Sequence, residues 1–147
     1  MNNIEISNHI VPYIYILFII LLPIDIPGWA LLLIAFILGL TIDLFSGTLG
    51  FHSFATVLMA YSRKSVLTLV SPRDGYEGNA IPNAASYGLL WFVKYTSILV
   101  FIHHFSLFLL EVFRFSYLPI ILFRTLLSGL FSLSFLLLSQ YFTFKRQ

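Results

Sequence analysis

The stretch Trp29-Ala30-Leu31-Leu32-Leu33-Ile34-Ala35-Phe36-Ile37-Leu38-Gly39-Leu40-Thr41-Ile42-Asp43-Leu44-Phe45 decides the fold. It carries one charge, Asp43, near its end. Its length approaches the roughly 20 residues that a membrane-spanning helix needs. Trp29 stands at its start, where an interfacial aromatic anchor sits. The rest of the chain has the same character. Of 147 residues, 59% are hydrophobic, 18% aromatic and only 10% charged, against about 25% charged in an average soluble domain. Mean hydropathy is +0.95. Six acids and eight bases cannot build the polar shell of a soluble globule. A soluble enzyme is thereby excluded, and so is a disordered chain, which requires low hydrophobicity.

Outward from this run the chain reads as five apolar segments, A to E. Segment A extends from about Ile10 to Ile24 between Pro12 and Pro23. It would reach only about 22 Å, short for a bilayer core. The run Pro23-Ile24-Asp25-Ile26-Pro27-Gly28 is a tight turn by its Pro and Gly content. It joins A to segment B, Trp29 to Phe45, as a helical hairpin. Segment C, about Phe51 to Val70, is interrupted by Arg63 and Lys64. It is expected to finish its crossing by Ser62, with Val66 to Val70 near the interface. Ser71 to Asn83 is a substantial polar loop. Segment D, Ala84 to Leu110, carries Lys94, His103 and His104. The link Glu111 to Ser116 leads to segment E, Tyr117 to Phe144. The expected fold is all-α: a polytopic transmembrane helical bundle of five spans, with residues 1–147 as a single integral membrane domain.

Charge orients the bundle. With five spans, the C–D loop and the C-terminus share a side that holds Arg63, Lys64, Arg73, Lys145 and Arg146, while Arg114 stands alone opposite. The positive-inside rule then makes the 71–83 loop and the C-terminus cytoplasmic. No Lys or Arg precedes the first apolar run, so the start does not read as a signal peptide. The net charge of +2 gives no reason to expect nucleic acid.

A charge inside a span costs roughly 2.5–3.5 kcal/mol on insertion scales, so each requires a reason. Asp43, near the outer end of B, and Arg124, about seven residues into E, share a depth. Either they pair, or Asp43 reaches headgroups while Arg124 snorkels along its own stem; the second reading is preferred. Together with His52 they outline an outer-facing polar patch able to bind a partner or small solute. Lys94 is expected to snorkel, and Glu111 with Arg114 to pair at i,i+3. His103 and His104 are adjacent, point about 100° apart on a helix, and suit the interface better than a shared metal ion. No HExxH spacing occurs and cysteine is absent, so no metal is expected, nor any cofactor. Ala35 and Gly39 make a small-xxx-small pattern that lets helices approach closely. Arg124, Ser128 and Ser132, with Ser139 beyond, put one polar stripe down E that should face protein. Walker, GxSxG and dinucleotide motifs are missing, and no acid/base pair suggests catalysis.

Three stretches carry a family resemblance: Pro12-Tyr13-Ile14-Tyr15-Ile16-Leu17-Phe18, Gly39-Leu40-Thr41-Ile42-Asp43-Leu44-Phe45-Ser46-Gly47-Thr48-Leu49-Gly50-Phe51-His52 and Ser71-Pro72-Arg73-Asp74-Gly75-Tyr76-Glu77. With Ile102-His103-His104 and Leu109-Leu110-Glu111-Val112-Phe113-Arg114-Phe115, the chain resembles the MreD family of rod shape-determining proteins, in particular the form found in Bacteroidetes. The resemblance implies a non-catalytic inner-membrane member of the bacterial elongation machinery. Its partners would be membrane lipid, an MreC-like protein and, in one complex, MreB, RodA and a class B penicillin-binding transpeptidase. Within it, Gly39, Asp43, Gly47 and Gly50 would shape the outer B–C turn, with Arg124 in support.

The family fold is also similar to the substrate-binding subunits of energy-coupling-factor transporters. The alternative function is therefore a vitamin-binding membrane subunit; a proton or ion carrier is a third. MreD-like chains have six spans and begin with a further apolar helix ahead of segment A. Here Met1 stands where that helix should have ended, so either a late-read start or a lost first span is expected.

Overall fold

The computed structural model describes residues 15–145, apart from the side chain of Phe144. The beginning of segment A and Arg146 lie outside the described residues. The backbone is helical at 15–20 (α1), Gly28–Ser46 (α2), Phe51–Leu69 (α3), Ala84–Tyr87 (α4), Leu89–Val112 (α5) and Leu118–Phe144 (α6), with one 3-10 turn at Phe115–Tyr117. No strand occurs among the described residues.

Helix α2 shows that apolar side chains cover the outside of the bundle as well as fill its core. Its buried residues are Leu31, Ala35, Gly39 and Asp43, a single stripe four residues apart. The remaining faces expose Trp29, Leu33, Ile37, Leu44 and Phe45, the last at 88%. A helix apolar all round belongs in a buried or membrane setting. Alongside its apolar core, the interior holds Asp43, His52, Thr56, Arg63, Thr96, His103, His104, Ser132 and Gln140. Large apolar side chains line the outside of α6 as well, among them Phe123, Leu127, Leu130 and Phe142.

Among the described residues, three helices are long and apolar enough to cross a membrane: Gly28–Ser46, Leu89–Val112 and the stretch Phe115–Thr143. At 1.5 Å per residue, α2 with 19 residues measures about 28 Å and α5 with 24 about 36 Å. Helix α3 also has 19 residues, but it carries Arg63 and Lys64 and is not one of the three.

Packing runs along the chain: α2 lies on α3, α3 on α5, and α5 on α6. The described turn and a half of α1 lies against α3 and α5, with Ile16, Ile19 and Ile20 fully buried among Met59, Phe92, Tyr95 and Leu99. Segment D does not form one continuous helix. Gly88 adopts φ +91°, and this separates α4 from α5. Asn83 caps α4, its side chain accepting from the Ser86 N–H at 2.8 Å. Helix α3 continues past Ser62 through Arg63 to Leu69 and buries Val66 and Leu67.

Candidate functional site

Helix α2 ends at Gly47, whose left-handed φ of +67° closes the last turn onto the Asp43 carbonyl. A second left-handed glycine, Gly50 at φ +88°, starts α3 without any side-chain cap of its own. The cap comes from the preceding helix. Asp43, 2% exposed, accepts from the His52 N–H at 3.0 Å through Oδ1 and from the Ser53 N–H at 2.9 Å through Oδ2. The Thr48 hydroxyl donates to Oδ1 at 2.5 Å and the Ser53 hydroxyl to Oδ2 at 2.6 Å. The His52 ring adds its Nδ1–H at 3.1 Å. A carboxylate at the C-terminal end of α2 opposes that helix's dipole. The first N–H groups of α3 offset this and satisfy their own orphan donors.

This clasp requires close approach. A Cβ on Gly39 would lie 2.6 Å from Ser53 Cα and 2.9 Å from both the Ser53 nitrogen and the His52 carbonyl oxygen. Ala35, one turn earlier, is fully buried. Gly39 therefore sets the α2–α3 spacing at which the Asp43 carboxylate reaches α3.

From this clasp a polar chain continues into the bundle. Thr56 donates to the His52 carbonyl at 2.6 Å, so it accepts from the Tyr15 hydroxyl at 3.1 Å. Tyr15 in turn lies 2.6 Å from His103 Nε2. The Val100 carbonyl, 2.9 Å from His104 Nδ1, can only accept. This assigns the His104 proton to Nδ1 and leaves Nε2 to accept from Ser132 at 3.0 Å. The same Nδ1–H faces His103 Nδ1 at 3.4 Å, which makes His103 Nε2 the donor to Tyr15. Groups from α1, α3, α5 and α6 are thus joined by neutral side chains with complementary donors and acceptors.

A second centre holds the end of α1. Arg63 is 1% exposed. Its Nε donates to the Tyr95 hydroxyl at 2.8 Å, and its two terminal nitrogens donate to the Pro23 carbonyl at 3.3 Å and to the Leu22 carbonyl. The Tyr95 hydroxyl in turn donates to the Ile20 carbonyl at 3.0 Å. A guanidinium fork and a phenol thereby satisfy the Leu22 and Ile20 carbonyls at the end of α1, and the fork shares the Pro23 carbonyl with the Ile26 N–H, which lies at 3.3 Å. Nearby, in the polar loop, Tyr76 donates to the Leu67 carbonyl at 2.6 Å, and burial pushes its hydroxyl pKa up.

Several expectations are corrected. Asp43 neither pairs with Arg124 nor reaches outward; its partners are Thr48, His52 and Ser53. Arg124 lies 3.6 Å from Glu111 and 4.7 Å from the Phe108 ring centre, in a half-exposed setting. Glu111 faces Arg124 in that contact, one helix away, and not Arg114. His103 and His104 are fully buried among protein groups and do not turn outward. The polar stripe of α6 is rotated: its buried face runs Ile121, Thr125, Gly129, Ser132, Leu136 and Gln140, with Arg124, Ser128 and Ser139 at its edge. Lys94 is exposed. Sequence reasoning missed Tyr15, Thr56, Arg63 and Tyr95. The threonine and serine beside the Gly47 and Gly50 turn were a usable signal for the clasp; no local signal marked Arg63.

Comparison of the chain with protein-family models, with curated proteins and with solved structures finds no match. Among the described residues, fold and site together define an all-helical protein with three helices able to span a membrane, and with buried polar side chains as links between helices.

Proposed function

We propose that the chain is a non-catalytic scaffold of the MreD type in the bacterial inner membrane. In this reading it crosses five times, with the 71–83 loop and the C-terminus cytoplasmic, and helps an MreC-like protein organise lateral wall synthesis. One observation carries it. The residues of the family-like stretch, Gly39, Asp43, Gly47, Gly50 and His52, form one mechanical unit that fixes the α2–α3 turn. Rigid presentation of an outer turn is what a scaffold requires, because a partner then binds without the entropy cost of ordering it.

The charge count supports the orientation in amended form. Arg63 is occupied inside the bundle, so Lys64, Arg73, Lys145 and Arg146 stand against Arg114. The test is depletion in the native bacterium with cell width as readout. Wild type restores rod shape, Asp43→Ala does not, and an MreC-like protein co-isolates with the wild type. Unchanged width on depletion overturns the proposal, and tight co-purification of a vitamin would favour the solute-binding alternative.

A further inference from the structure

Where α5 begins and α6 ends, a groove of about 760 Å³ lies between the two helices. Leu89, Leu137 and Leu138 give it apolar walls, while Gln140 and Lys145 line its α6 terminal end. Three features of that end point to an anion. Lys145 is exposed and has no carboxylate within salt-bridge distance among the described residues. Gln140 is only 7% exposed; its Oε1 accepts from the Ala84 N–H at 3.3 Å, which leaves its amide N–H groups without an acceptor among the described residues. Helix α5 starts at the same place with no side-chain cap, so its first N–H groups and the positive end of its dipole are open. The final carbonyls of α6 carry the opposite partial charge, which the full charge of Lys145 outweighs.

We propose that this groove binds an anionic phospholipid. One acyl chain lies along the leucines, and the phosphate sits between Lys145, the Gln140 amide and the start of α5. A helix from another protein, or a second copy of this chain, would set apolar surface against the Gln140 amide and leave that donor unsatisfied. An amphiphile with an anionic head matches both halves of the groove. The site is independent of the scaffold reading and rests on different residues.

The test uses the full chain in vesicles of equal phosphatidylglycerol and phosphatidylcholine, extracted in mild detergent, with retained lipid counted by native mass spectrometry. Wild type is expected to retain phosphatidylglycerol over phosphatidylcholine, and Lys145→Glu to lower that preference about fivefold or more. Leu138→Trp, on an exposed groove wall, is expected to reduce retention with elution volume unchanged. Equal retention of the two lipids by wild type overturns the proposal. So does a preference that survives Lys145→Glu, or a dimer that Leu138→Trp dissociates.

Discussion

Replacing Asp43 by alanine removes the acceptor for two backbone N–H groups, two hydroxyls and one imidazole N–H. The hydroxyls of Thr48 and Ser53 can rotate toward backbone carbonyls, and the His52 ring can turn. The N–H groups of His52 and Ser53 cannot move without unwinding the first turn of α3. A buried donor left without a partner costs about 1–3 kcal/mol, and a lost helix cap typically costs about 1 kcal/mol. These contributions overlap at the same two donors, so Asp43→Ala is expected to destabilise the bundle by about 3 kcal/mol. Asp43→Asn keeps one carbonyl oxygen but turns an NH2 toward one of the donors, and should cost about half as much. Unfolding by sodium dodecyl sulfate in mixed micelles, followed by helical circular dichroism, measures both. Arg124→Ala is the internal reference: its contact with Glu111 is half-exposed and should be worth less than about 1 kcal/mol. An Asp43→Ala variant within about 1 kcal/mol of wild type would refute the clasp. Equal losses for Asp43→Ala and Arg124→Ala would instead restore the ion pair between them.

Substitutions at three further positions probe the remaining contacts. Gly39→Ala drives a methyl group to within 2.6 Å of Ser53 Cα and should cost about 1–3 kcal/mol by overpacking, with Gly39→Val worse. Gly47→Ala, which meets nothing within 4 Å but keeps φ at +67°, should cost about 1 kcal/mol by the same unfolding assay. Arg63→Met strands the Leu22 carbonyl and takes the donor from the Tyr95 hydroxyl, while the Pro23 carbonyl keeps the Ile26 N–H at 3.3 Å, and is expected to lose about 1–3 kcal/mol; Arg63→Lys should recover less than half, because a single ammonium cannot reproduce the fork.

The sequence announces what is local and conceals what is distant. Segment B was legible because Trp29 to Phe45 is apolar on every face, and α2 spans Gly28–Ser46. The close approach at Ala35 and Gly39 was readable from size alone. Asp43 was recognised as needing a partner, but its partner was sought at matching depth in another span. Its partners lie instead five, nine and ten residues along the chain, in and across the turn that Gly47 and Gly50 allow. Arg63 looked like an interfacial charge because flanking charges usually are. Its acceptors are carbonyls about 40 residues earlier in the chain, where α1 ends, and no spacing rule links the two. The histidines misled for a related reason. Adjacent rings on a helix diverge, yet here one faces α1 and the other α6, and both directions are interior.

The central claim is that apolar helices such as α5 cross a bilayer while polar side chains join them inside. The chain has no cysteine, so single-cysteine variants can test it directly. Arg73→Cys lies before α5, and Phe113→Cys, at an exposed site, immediately after it. A membrane-impermeant maleimide applied to intact spheroplasts is expected to label Phe113→Cys at once and Arg73→Cys only after permeabilisation. Equal labelling of the two positions in intact spheroplasts would contradict the account.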